Sequence, residues 1–345
     1  MFKYIQIDEH SRIPKYRQIV DSIIHNISVG NLKIDEKIPS INRFSEEYLL
    51  SRDTVEKAYN ILKERKIISS IRGKGYYITR TQLLSKVNIL MLINKPSSYK
   101  IRIYNSFLNN IGNNAHTDLF IYHCNETLFL NLVDKHVNAY DYYVIMPHFK
   151  SENLEHISST DPILKAIQKI PNDRLVIVDN RLGFSRDIVK VYQDFEEDIY
   201  SALKEGLQKI IKYQKLILVY PTKSVYPYPK RILHGFKKFC IEHSLDFEII
   251  DEVFDDIILK KGDLFITIEE LDLVNLVNQI RKDEFVLGKE IGVISYNETP
   301  LKELLGITVI STDFKAMGQT VAEMILNNKK GQIKNPFHFI DRDSL

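Results

Sequence analysis

Two stretches in the first eighty residues carry side chains suited to holding a polyanion without covalent chemistry. One is Ser51-Arg52-Asp53-Thr54 with Lys57 three residues on; the other is Arg72-Gly73-Lys74-Gly75. An Arg side chain can make two parallel bonds to guanine, and a Thr hydroxyl can bond a phosphate or its methyl meet that of thymine. Gly73 and Gly75 let the backbone approach a phosphate chain closely, while Arg72 and Lys74 supply charge. Bond-making chemistry lacks comparable groupings. There is no Gly-x-Ser-x-Gly elbow, no phosphate-loop Gly-Lys-Ser/Thr and no His-Glu-x-x-His, and the ten histidines are scattered without metal-ligand spacing. The chain is therefore expected to bind rather than catalyse, with no cofactor and no metal.

The elements that would position these residues follow from periodicity. Tyr16, Ile19, Val20, Ile23, Ile24 and Ile27 recur at steps of three and four and predict a helix over Pro14–Val29. Pro14 suits a first turn and Gly30 a stop. Ser40 can cap a short helix with Ile41 and Phe44 inward. After a break at Leu49-Leu50, Ser51 can cap another, whose inner stripe is Val55, Ala58, Tyr59 and Leu62. Two short helices joined by a tight turn make a helix-turn-helix, with the amino end of the second at the base edges. Ile67–Ile71 and Tyr76–Thr79 are β-like runs around the two glycines, so a hairpin follows as a wing.

Net charge agrees with this placement. The whole chain carries +2, but residues 1–80 hold 15 basic and 10 acidic side chains, a balance of +5, which leaves −3 for the remainder. Only the leading segment is expected to meet a polyanion. Two cysteines without metal-type spacing, a polar opening Met1-Phe2-Lys3-Tyr4-Ile5-Gln6 and no run of about 20 apolar residues lead us to expect a cytoplasmic protein without a membrane partner.

Pro14–Ile19, Ile38-Pro39-Ser40, Ser51–Tyr59 and Arg72–Tyr76 resemble, in order and spacing, the DNA-binding domain of the GntR family. The resemblance implies a winged helix-turn-helix. It places Ser40, Ser51, Arg52, Thr54, Lys57, Tyr59, Gly73 and Gly75 where that family touches DNA or shapes the contact. The family commonly has Arg two residues after the Pro-Ser serine; this chain has Asn42 there and Arg43 one place later, and both join the candidate surface with Asp53.

Residues 81–86 read as a polar linker, and strand-like and helical runs then alternate from 87 to 345. Val87–Ile93, Leu119–His123, Tyr142–Pro147 and Leu175–Asp179 form one strand series. After Asp194 the rhythm repeats, with a helix over Ile199–Tyr213 and strands at Leu216–Tyr220, Phe247–Ile250, Leu264–Ile268 and Glu290–Ser295. Alternation implies parallel sheets flanked by helices, and two series imply two lobes with a cleft at the strand ends. Asn94, His123, Asp179, Arg181, Gln193, Asp194, Tyr296 and Asn297 follow strands or lie between the two series. Amides, carboxylates, an Arg and aromatics suit a polyol, whose hydroxyls need donors and acceptors and whose ring offers an apolar face.

Leu175–Asn180, Val191–Phe195, Arg231–Phe239, Ile291–Glu298 and Ile307–Gly318 resemble the effector domain of LacI/GalR regulators, which is similar to periplasmic sugar-binding proteins; Phe339–Leu345 is similar to its closing strand. The resemblance implies ligand contacts at Asp179, Asp194, Arg231 and Asn297. A GntR head on such a body is similar to arabinose-repressor-type regulators. The chain is thus expected to be a homodimeric transcription regulator, a repressor that binds double-stranded operator DNA, with an arabinose- or fucose-like sugar as effector. Two alternatives stand beside it: a body that serves as a dimerisation or protein-partner platform, and an enzyme with a fused DNA-binding head.

Overall fold

The computed structural model describes residues 4–28, 30–33, 35–64, 67–71, 73–79, 87–112, 115–182 and 187–345. The expected linker 81–86 and Arg72 lie outside the described residues. The chain divides into two compact units, Met1–Lys86 and Val87–Leu345.

In the first unit, α1 (Lys15–Ser28) starts directly after Pro14, whose carbonyl accepts from the Arg17 and Gln18 amides at 2.9 and 3.1 Å. β1 (Lys37–Ile38) leads to α2 (Ile41–Glu47) and α3 (Arg52–Glu64), and β2 (Ile68–Ile71) and β3 (Gly75–Ile78) close the unit. The expected hairpin is β2–β3, and β1 adds a third strand to its other side, antiparallel with Lys37 opposite Tyr77. Ile19, Ile23, Phe44, Val55, Ala58, Tyr59, Leu62 and Ile78 form one core. Their helical stripes are the ones the spacing predicts, because each helix can shield only one face from water.

The second unit contains two six-stranded sheets. Its elements are β4 (Val87–Ile93), α4 (Ser98–Ile111), β5 (Ala115–Ile121), α5 (Glu126–His136), β6 (Tyr142–Ile145), the short pair β7 (Phe149–Lys150) and β8 (His156–Ile157), α6 (Asp161–Gln168), β9 (Leu175–Asp179) and β10 (Val189–Tyr192). There follow α7 (Phe195–Glu205), α8 (Leu207–Ile210), β11 (Lys215–Val219), α9 (Arg231–Glu242), β12 (Asp246–Ile250), β13 (Asp263–Thr267), α10 (Glu270–Lys282), β14 (Gly292–Tyr296), α11 (Pro300–Leu304), β15 (Thr308–Thr312), α12 (Phe314–Leu326), β16 (Gln332–Lys334) and β17 (Phe337–Ile340). The first sheet runs β16-β10-β9-β6-β4-β5, all parallel. The second runs β12-β11-β13-β14-β15-β17, parallel except for β17. Alternate residues of β4 feed opposite cores: Ile89, Met91 and Ile93 on one face, Leu90 and Leu92 on the other. Strands covered on both faces in this way read as continuous apolar runs.

Three expectations need correction. The lobes are not two consecutive series, because after β15 the chain returns to the first lobe: α12 packs along α4, and β16 pairs with β10. The sequence encodes this in Gly318. A Cβ there would lie 2.4 Å from the Ile103 carbonyl oxygen, so the absent side chain is what lets the two helices approach. The expected helix 199–213 is two, α7 and α8, interrupted at Gly206, whose backbone leaves the helical region (φ −80°, ψ 0°). The closing strand is Phe337–Ile340; the last five residues are held by hydrogen bonds outside the strand ladder instead, among them the Thr308 amide to Ser344 Oγ at 2.7 Å.

Candidate DNA surface and effector cleft

In the first unit, the residues expected to read DNA sit where caps and exposure place them. Ser40 Oγ accepts from the Arg43 amide, and Ser51 Oγ accepts from the Thr54 amide, both at 3.3 Å; Ser51 and Thr54 also share a hydroxyl bond of 2.8 Å. These caps fix the first turns of α2 and α3, leaving Asn42, Arg43, Arg52 and Asp53 exposed. Lys57 is exposed as well, its ammonium lying over the Tyr16 ring at 4.1 Å, so its charge is steered by α1 rather than freely solvated. At the wing, Gly73 and Gly75 have φ of +75° and +108°, values that favour glycine, and Lys74 is exposed at the tip.

Tyr59 shapes the candidate surface from within rather than forming part of it. It is wholly buried, and its hydroxyl donates to the Pro39 carbonyl at 2.8 Å. It cannot touch a duplex; it ties α3 to the turn that presents Ser40.

In the second unit, the carboxyl ends of the strands converge on a narrow cavity between the lobes, with a volume of about 40 Å³. Asn94, Asp179, Gln193 and Asn297 line it, as do Lys95, Tyr99, Lys100, His148, Tyr228 and Tyr296. His123, Arg181, Asp194 and Arg231 are not among the lining residues. His123 Nδ1 bonds the Tyr226 hydroxyl at 2.8 Å across the lobes. The Arg181 guanidinium lies 3.8 Å from the centre of the Tyr192 ring, and Arg231 pairs with Asp194 at 2.5 Å. Arg231 and Asp194, both expected at a ligand, pair with each other outside the cavity.

The centre of the cleft is Asp179, a buried carboxylate at a strand end with φ of +74°. It accepts from the Lys100 ammonium, from the Gln193 amide and, at 2.7 Å, from His148 Nε2; His148 Nδ1 in turn meets His156 Nε2 at 2.8 Å. Burial alone would raise the Asp179 pKa, but Lys100 and His148 outweigh it and hold the carboxyl well below its usual range. Burial, with the Lys100 charge, pushes His148 down to about 4, so it is neutral at pH 7. The neutral ring donates to Asp179 from Nε2 and accepts from His156 at Nδ1, which satisfies both nitrogens. Three polar atoms facing the same cleft have no partner among the described residues: Asn94 Oδ1, Gln193 Oε1 and the Tyr296 hydroxyl.

Lys95, Lys100, His148 and Tyr228 escaped the sequence reading. Lys95 follows Asn94 immediately and His148 comes three residues after β6 ends, so the strand-end rule that singles out Asn94 could have reached both. Lys100 lies within helix α4, and Tyr228 within a long loop; nothing local marks either. The lobes are also joined by Lys95 to the Tyr228 hydroxyl at 3.4 Å and by Lys230 to Glu155 at 2.7 Å.

Comparison with known proteins defines the class. Residues 15–78 match the family model described as bacterial regulatory proteins, gntR family, so the first unit is a GntR-type helix-turn-helix domain. The second unit has the two-lobed fold of LacI-type regulators and periplasmic binding proteins.

The chain is similar to the transcriptional repressor YtrA of Bacillus subtilis, 36% identical over 75 residues, which are 22% of this chain and 58% of the relative. It is 33% identical over 76 residues to the arabinose metabolism transcriptional repressor of Geobacillus stearothermophilus, 22% of this chain and 21% of that one. The chain thus aligns with well under two thirds of either relative. Among solved structures, a periplasmic binding protein/LacI transcriptional regulator from Alkaliphilus metalliredigens, complexed with D-xylulofuranose, matches 75% of this chain and 98% of its own with a TM-score of 0.56 at 13% identity. The family model and these relatives are described as transcription regulators. No described helix is long and apolar enough to cross a membrane.

Proposed function

We propose that this protein is a transcription repressor of sugar-utilisation genes, gripping operator DNA through residues 1–80 and sensing a small polyhydroxylated metabolite through residues 87–345. The observation that carries the reading is the capped, exposed amino end of α3 together with an exposed Lys74 at the wing, in a unit that matches a DNA-binding family. Arg52 and Thr54 read base edges, whereas Lys57 and Lys74, with Arg72, hold phosphates and Ser40 fixes the approach of α2. The xylulofuranose complex of a structural relative and the arabinose repressor among the sequence relatives support a sugar-class ligand in the cleft.

The cavity is far smaller than the ~300–1,000 Å³ of ordinary ligand pockets. Ligand therefore enters when the lobes part, and it biases the protein only as far as it prefers one lobe arrangement over the other. A homodimer would turn that bias into a change in the spacing of two heads on a palindromic site. Selection from a random duplex library with the full chain tests the reading. The expected product is a palindrome with half-sites about 10–10.5 bp apart or a multiple of that. Absence of affinity for any duplex at low ionic strength would refute it.

A further inference from the structure

We propose that the cleft takes an anionic polyhydroxylated ligand, a sugar acid or a sugar phosphate, with its acidic group at Lys95. The proposal rests on the sensor reading above and narrows its ligand class.

Two buried lysines line the cavity against one aspartate. The Lys100 charge is met by Asp179. That of Lys95 is not: among the described residues no carboxylate lies within ion-pair distance of it. Its ammonium contacts the Tyr228 hydroxyl and sits 4.4 Å from the Tyr228 ring centre and 5.5 Å from that of Tyr99. Glu269, in the second lobe, accepts instead from Ser224 Oγ at 2.9 Å. Aromatic faces only partly replace the hydration that a buried ammonium loses, so the site retains a positive charge that a bound anion would neutralise.

A second feature points the same way. Tyr99 and Lys100 belong to the first turn of α4, a fourteen-residue helix with no acidic side chain in that turn, so its positive end faces the cavity. Hydroxyls on the same ligand are called for by the unpartnered Asn94 Oδ1, Gln193 Oε1 and Tyr296 hydroxyl, on residues only 3–5% exposed. The two amide oxygens are pure acceptors, so they need donors, and the Gln193 amide nitrogen is already committed to Asp179. An ionised carboxylate supplies no donors, whereas a polyol does. Charge and orphaned acceptors together fit a molecule that carries both groups.

Isothermal titration of the full chain tests this, with D-gluconate, D-glucuronate and D-ribose 5-phosphate beside neutral D-glucose, L-arabinose and L-fucose at fixed ionic strength. An acid or phosphate should bind at least about ten-fold tighter than the neutral sugars, a difference of ~1.4 kcal/mol. The carboxylate and phosphate arms tell the two sources apart. Lys95→Gln should abolish the preference and Lys95→Arg should keep most of it. Asn94→Asp, which barely changes the side-chain shape, should weaken the anion more than a neutral sugar. Neutral sugars binding as tightly as the acids would overturn the anionic class and leave the sensor reading intact; so would an unchanged acid preference in a folded Lys95→Gln protein. Silence from the whole panel would sink both.

Discussion

Replacing Asp179 by Asn tests the charge arrangement of the cleft most directly. Asp179 and Lys100 are each 2% exposed, and the carboxylate accepts from Lys100, Gln193 and His148. Asn preserves the shape but removes the charge, and its amide turns two donors toward groups that are themselves donors. Removing one partner of a buried ion pair costs ~3–5 kcal/mol, because the remaining charge stays desolvated and unpaired. Each 1 kcal/mol lowers the midpoint of a unit this size by about 2–4 °C, so Asp179→Asn should drop the transition by roughly 6–20 °C. Differential scanning calorimetry of the full chain reads that shift. The double variant Asp179→Asn with Lys100→Met should recover part of the loss, since neither member of the pair is then left as an unpaired buried charge. A midpoint lowered by less than about 2 °C, or strictly additive single effects, would show that Lys100 is not compensated by Asp179 and would refute the charge count on which the cleft's net positive character depends.

Other consequences can be read with standard assays. Lys74→Ala should weaken binding to every duplex alike and reduce the slope of log K against log salt by about 0.9, measured by fluorescence anisotropy. Arg52→Ala should cost ~1–3 kcal/mol at its cognate base pair while relaxing specificity there, which a panel of single-base operator variants would resolve. Tyr59→Phe deletes only the bond to Pro39 and should cost ~0.5–1.5 kcal/mol of stability in urea unfolding, without altering the salt slope. His148, held near 4 when folded against about 6.5 unfolded, binds its proton more weakly in the native state, so acid favours the unfolded chain. Native stability should therefore fall by up to about 3 kcal/mol as pH drops from 6.5 to 4, and His148→Gln should flatten that part of the pH–Tm curve.

Much of this protein is written in short stretches of sequence. The stripe Ile19-Val20-Ile23-Ile27, the caps Ser40 and Ser51, and the two glycines of the wing each act within a few residues, so periodicity and turn chemistry suffice to place the helices and hairpin that carry the candidate DNA surface. The strand-end rule likewise puts Asn94, Asp179, Gln193 and Asn297 at one edge of parallel sheets. Tertiary structure decided what those rules cannot reach. Lys100 meets Asp179 from 79 residues away, and Lys95 meets Tyr228 from 133. The return of α12 to α4 depends on a close approach that only Gly318 permits, and burial turns Tyr59 from a surface candidate into a brace. Local patterns follow from the geometry of one helix or strand, whereas a partner's identity depends on how the whole chain closes its loops, which no single stretch specifies.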